Sequence, residues 1–313
     1  MTKTSEFHAA NGTPQKAELP FVHETVTRLL KNASSTGAKI PDSNTHAASR
    51  NAALLQTLFR DESNIGAFLG RSFIFERARG SSIRHLHSNE VHQQSAKLHC
   101  LYGTPILQYG RTRSSRTYPF ACSVVYDLRN YTDKTKWGPF MDDESGNVDW
   151  EKLEAILIVL GSNIKDRGLR SPAFSSSWSM PFVGSWSGSY VPRRISTPLD
   201  DRDPYGISGI WLRVVCFLDY NDLFDYNFTL GVQIPPDVPR LPIDIGEETR
   251  LIIMRMQVKA IEPPGEEDGQ ALPVVHFTGV AGSLDDTWDP NSNSELRGIK
   301  GSAPERLHGL RTD

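Results

Sequence analysis

Cysteine is scarce: 3 of 313 residues, namely Cys100, Cys122 and Cys216. They lie far apart with no CxxC pair, so neither a disulfide framework nor a zinc knuckle is expected. Long apolar runs are also missing, and without a stretch of about 20 apolar residues no membrane helix is expected. Met1 to Leu19 is polar and holds no hydrophobic core of the secretory-leader kind, so the sequon Asn130-Tyr131-Thr132 carries little weight and cytosol or nucleus is the expected compartment. Charge of one sign is missing too. With a formal net charge of -3, no protein-wide field draws the chain to nucleic acid or to an anionic membrane. Partners are recognised by local surface.

The catalytic patterns that can be sought are incomplete. His23-Glu24 starts like a zinc-protease helix, but the second histidine is replaced by Thr27. Gly184-Ser185-Trp186-Ser187-Gly188 has the outline of a nucleophile elbow with a tryptophan at its centre. His85, His87, His92 and His99 with Cys100 match no familiar metal spacing, and Asp142 to Asn147 lacks the terminal glutamate of a calcium loop. No glycine-rich phosphate loop precedes a helix. The expectation is a protein that is not an enzyme and carries no metal or cofactor.

What is present is a folded centre with polar extensions. Hydrophobic residues make up 38%, enough for a sizeable core in a chain of this length. Residues 1–18 and the stretch Lys31 to Ser49 read as disordered or linker. Between them, Phe21, Val22, Val26, Leu29 and Leu30 recur at helical spacing, and Leu54 to Phe75 repeats in threes and fours around Asp61-Glu62-Ser63, which predicts a helix pair. A further helix is predicted from about Asn89 to Leu101, stopped by Gly103. After Pro119 the texture changes to strand-like at Val124-Val125-Tyr126, with a turn at Trp137-Gly138-Pro139. Leu153, Ile156, Leu157 and Leu160 predict a helix ended by Gly161. Ser162 to Pro204 reads as a long, partly packed loop.

Three strands follow: Ile207 to Tyr220, Thr249 to Glu262 and Leu272 to Val280. In the second, Met254, Met256, Val258 and Ala260 alternate with Arg255, Gln257 and Lys259, which places one face in a core and one in water. The charged stretch Glu262 to Gly269 is expected to turn the second strand into the third as antiparallel neighbours. The fold class is therefore α+β: a small helical N-terminal module over 19–103, then a β-rich, mainly antiparallel domain over 120–298, an incomplete barrel or sandwich. Residues 299–313 read as a disordered tail.

Several long words carry a resemblance. Trp211 through Leu223, Ile261-Glu262-Pro263-Pro264-Gly265-Glu266-Glu267-Asp268-Gly269-Gln270, Val148-Asp149-Trp150-Glu151-Lys152 and Ser95 through Gly103 resemble a fungal family of F-box proteins over about 59–298. The resemblance implies a substrate receptor of a cullin-type ubiquitin ligase: the helical module holds an adaptor protein that joins a cullin scaffold, and the β-rich domain holds a protein substrate. Such a receptor acts by raising effective concentration and makes no bonds itself. Leu19 and Pro20 stand where an F-box opens, so Leu19, Pro20, Phe21, Leu54 and Leu55 are the expected adaptor contacts. Trp137, Trp186, Arg213, Tyr220, Glu266 and Asp268 are the expected substrate contacts, because aromatic residues and arginine dominate binding hot spots. A β-barrel carrier of small ligands, or a truncated member of the family, are the alternatives.

Overall fold

A computed structural model describes residues 18–32, 49–70, 72, 74, 90–103, 111–170, 199, 202–229, 234–235, 238, 240–243, 245–266, 268–283 and 294–301; side chains at 111–116, 167–170 and 229 are not part of that description. The expected linkers before 18 and over 33–48, the loop residues 171–198 with Trp178 and Trp186, and His85, His87, Glu267 and Trp288 lie outside it. The class is α+β, with the N-terminal helices preceding an antiparallel sheet. The chain divides into two compact units: one of Met1–Asp166, Met180–Val191 and Leu218–Glu247, the other of Arg167–Ser179, Pro192–Phe217 and Glu248–Asp313.

The first unit is helical. Helix α1 (Leu19–Lys31) buries Leu19, Val22 and Val26, one stripe at helical spacing, and Pro20 occupies the first turn, where its missing N–H has no intrahelical partner to lose. Ser49 caps α2 (Arg50–Leu58) by accepting from Asn51 N, and Asp61 caps the short α3 (Glu62–Asn64), which widens into a π turn over Ile65–Leu69. Helix α4 (Glu90–Tyr102) ends as its sequence predicts: Gly103 takes φ 71° and donates its N–H to His99 O. Leu19, Val22, Val26, Leu55, Phe59, Phe68, Leu69 and Leu98 form one core, and Ser95 Oγ donates to Phe68 O at 2.7 Å to tie α4 to the π turn.

Two expectations fail here. Val124 and Val125 are not in a strand but close helix α5 (Arg111–Val125), which runs through Pro119. Strand propensity is overridden because Phe120, Ala121 and Cys122 bury against Ala155, Ile158 and Val159, and the carbonyl of Pro119 accepts from Ile243 N at 3.1 Å. Nor does Gly161 end its helix: α6 spans Trp150–Arg170 with Gly161 buried inside it. Burial continues past the glycine at Ile164, so packing outweighs the roughly 1 kcal/mol that glycine costs a helix interior. These helices belong to the first unit up to Asp166, and the sheet unit is correspondingly smaller than 120–298.

The second unit is built on one four-stranded sheet in the order β1 (Gly209–Phe217), β2 (Glu248–Glu262), β3 (Val274–Ser283) and β4 (Ser294–Lys300), antiparallel throughout. Arg255, Gln257 and Lys259 are exposed as the alternation requires. The register slips between Val258 and Ala260. That bulge inverts the pattern beyond it, so that Ile261 rather than Ala260 joins Val258, Val275 and Ile207 in the core. Strand β4 includes Ile299 and Lys300, which corrects the expected start of the tail; residues 302–313 lie outside the description. No second sheet accompanies this one among the described residues. The first predicted strand stops at Phe217, because Asp219 accepts from Asn221 N and starts helix α7 at Tyr220–Phe224.

Gly298 pairs with Phe277 across β3 and β4, and a Cβ there would enter the Phe277 ring. The ring covers the glycine, a cross-strand arrangement open only to that residue. Gly298→Ala is expected to lower stability by about 1–3 kcal/mol and to raise amide exchange first in β4. Urea unfolding with exchange measurement checks both effects.

Candidate functional site

The strongest surface feature of the helical unit grows from an acidic centre. Asp127 follows α5 and is nearly buried, yet four donors reach it: Arg129 N at 3.1 Å, Arg129 Nε at 2.9 Å and Nη2 at 2.6 Å, and Arg240 Nε at 3.3 Å. Charge-assisted bonds of this kind hold a carboxylate more firmly than neutral ones. The two arginines are in turn spent on backbone. Arg129 donates to the carbonyls of Ile234, Pro235 and Val238, and Arg240 to those of Tyr226 and Asn227. Arg240 also lies over the Tyr226 ring, 5.5 Å from its centre. Burial and the Asp127 charge push the Tyr226 phenol well above its ordinary value.

This anchoring fixes the segment after α7. A π turn over Asp225–Thr229 continues that helix, and Asn227 locks it to the end of α5 by donating to Tyr126 O at 3.0 Å and accepting from Leu128 N at 3.1 Å. Tyr226 turns inward, whereas Tyr220, Phe224 and Phe228 turn out, with 73%, 45% and 61% of their surface exposed. Their rings form a row, 6.1 Å from Tyr220 to Phe224 and 5.1 Å from Phe224 to Phe228. The first pair is stacked and the second tilted, and the three rings are left in water on a clamped backbone, a composition and rigidity that suit a recognition surface. π turns concentrate at functional sites.

Trp137 makes a second aromatic projection in the same unit. Lys136 and Trp137 take left-handed backbone angles, φ 49° and 56°, a strained conformation for side chains of this size. Trp137 Nε1 donates to Asp133 at 2.9 Å, and the Phe140–Val148 bridge closes the loop at its base. Beneath it Lys152 is buried. Its ammonium donates to Asn130 O and Phe140 O, and desolvation pulls its pKa below the ordinary lysine value. The indole remains 68% exposed.

The expected adaptor residues fall on two sides of their helices. Leu19 and Leu55 are core residues, whereas Pro20, Phe21 and Leu54 face solvent. Only the last three are placed to touch a partner. In the sheet unit, Arg213 is exposed on β1. Glu266 is exposed at the β2–β3 turn, but Asp268 is occupied in folding that turn, where its carboxylate accepts from Gly265 N at 3.0 Å. Trp186 lies outside the described residues. Sequence reasoning singled out Tyr220, at the end of its predicted strand, but missed Phe224 and Phe228, which follow it at the spacing of four that brings side chains together on a helix. It also missed the Asp127–Arg129–Arg240 centre, which joins residues more than a hundred positions apart.

Among the described residues no cluster of three His, Cys, Asp or Glu side chains is arranged to hold a metal ion. His92 and His99 are buried in α4, and Cys100, Cys122 and Cys216 are in no disulfide. No described helix is long and apolar enough to cross a membrane. No family model, no curated protein and no solved structure matches the chain.

Proposed function

We propose that the chain is a non-enzymatic substrate receptor of a cullin-type ubiquitin ligase, holding a protein substrate while its N-terminal helices hold the adaptor. The observation that carries the binding role is the exposed row of Tyr220, Phe224 and Phe228, clamped from behind by a buried carboxylate and two arginines. A rigid aromatic row costs little conformational entropy on binding, which is how such surfaces gain affinity. The ligase role is supported by the Leu19-Pro20 opening and by the outward placement of Pro20, Phe21 and Leu54 beside a packed helical core. The alternative of a barrel-shaped carrier finds no enclosed lumen in the described sheet, in which β1 and β4 are both open edges.

Tagged chain co-expressed with adaptor and cullin tests the assignment. The parent is expected to bring down both proteins, and Phe21→Asp with Leu54→Asp to reduce recovery about tenfold or more, since a charge at a buried contact costs at least 1.4 kcal/mol. Both positions are exposed in the free chain, so circular dichroism should be unchanged. Leu19 is unsuitable for this purpose because its replacement opens the core. Undiminished recovery with the double variant, or none with the parent, overturns the reading.

A further inference from the structure

The two open edges of the sheet are unlike. Strand β4 presents Glu295, Arg297 and Lys300 to solvent, the charged guard by which edge strands avoid pairing with other chains. Strand β1 has no such guard. Its sequence Ile210-Trp211-Leu212-Arg213-Val214-Val215 is apolar at every position but one, and Ile210, Trp211 and Leu212 are all exposed. A strand in an antiparallel ladder turns half its N–H and C=O groups to each side. On one side β1 has β2; on the other, no described residue ladders with it.

The register sorts the side chains of this edge into two chemistries. Ile210, Leu212 and Val214 share a face with Arg255, Ile253 and Leu251 of β2, while Trp211, Arg213, Val215 and Phe217 share the other with Met254, Ile252, Arg250 and Glu248. Arg250 leans back over β1, its guanidinium 5.3 Å from the centre of the Phe217 ring. Arg213 and Arg250 are both exposed and form no ion pair with any described carboxylate. One face of the edge is thus mainly apolar with Arg255 at its end, and the other carries Arg213 and Arg250 beside aromatic rings with one carboxylate, Glu248, at its end, so that cations outnumber anions along the edge.

We propose that β1 is a docking edge for an extended acidic peptide, which adds as a fifth strand with apolar residues over Ile210, Leu212 and Val214 and carboxylates beside Arg213 and Arg250. Main-chain bonds to β1 supply affinity without regard to sequence, and the alternation of side chains supplies selection. Charge complementarity decides the occupant: a basic strand would set like charges against the two guanidiniums, and a neutral one would leave them unanswered. The inference goes beyond the receptor reading and names a site in the sheet unit that does not need the ligase role.

The test uses purified full-length chain and a fluorescein-labelled peptide of alternating valine and glutamate, followed by anisotropy without adaptor or cullin. The glutamate peptide is expected to bind, and to lose affinity about tenfold when glutamine replaces glutamate or when Arg213→Glu or Arg250→Glu is introduced. Methylation of alternate peptide nitrogens along the bonding edge should abolish binding, because strand addition needs those N–H groups. Both arginines lie in solvent, so unchanged melting temperatures separate lost binding from lost fold. No binding by the glutamate peptide, equal binding by the glutamine peptide, or equal binding by the methylated one overturns the proposal. Because no ligase component is present, failure here leaves the adaptor experiment untouched.

Discussion

Asp127→Ala is expected to lower the stability of the helical unit by about 3–5 kcal/mol, the cost of removing one partner from a buried charged cluster. The carboxylate is 6% exposed and accepts from both Arg129 and Arg240. Without it, the two guanidiniums that shared it are left together at the end of α5, and among the described residues the acceptors that remain to them are backbone carbonyls. Coulombic repulsion then favours their release, and release of Arg129 frees the carbonyls of Ile234, Pro235 and Val238, while release of Arg240 frees those of Tyr226 and Asn227. The aromatic row should loosen before the whole unit unfolds. Urea denaturation gives the magnitude, and hydrogen exchange at 220–229 gives the order of events. A loss under about 1 kcal/mol would mean that the arginines are held by the carbonyls and that Asp127 is incidental. Asp127→Asn keeps the acceptor geometry without the charge and should fall between the two.

How far the sequence foretells this arrangement depends on the range of the interactions. Helix α1 and helix α4 are legible because their signals are local: an apolar stripe at Leu19, Val22 and Val26, and a glycine at the left-handed stop after Tyr102. Strands β2 and β3 are legible for the same reason, as is their charged turn, where Asp268 does what turn-forming residues do. The misreadings are cases in which tertiary packing outvotes a local preference. Proline at 119 and glycine at 161 both signal a break, and both sit inside helices because the faces around them bury Phe120, Ala121, Ala155 and Ile158. The bulge near Val258 is likewise invisible in a pattern that alternates without fault through Ala260. For the site, composition alone picked out Tyr220, Trp137 and Arg213, since aromatic residues and arginine are the common currency of recognition. It could not rank Leu19 apart from Phe21, because one turn of helix separates core from surface. Nor could it pair Asp127 with Arg240, which meet only when the chain returns after the sheet's first strand.

The other large effect is expected at the junction of α4 and α6, where the outcome discriminates between two accounts of a buried histidine–glutamate contact. His99 Nδ1 lies 2.7 Å from Glu154 Oε1, with the two side chains 5% and 1% exposed. The second oxygen of Glu154 has no hydrogen-bond partner among the described residues. Cys100 stands beside them, its thiol donating to Trp150 O at 3.8 Å and held well above the ordinary value by burial and then by the Glu154 charge. Glu154→Ala should cost about 3–5 kcal/mol, because it takes the carboxylate partner from a buried imidazole and leaves a cavity between the helices. The matching change His99→Leu should cost a similar amount by stranding the carboxylate. Making both sides apolar, as His99→Leu with Glu154→Met, removes the desolvation penalty together with the attraction. That double variant is therefore expected to be more stable than either single one, and close to the parent. Additive losses in the double-mutant cycle would contradict this, and would mean that His99 and Glu154 are not coupled to each other and that each is held by its other contacts.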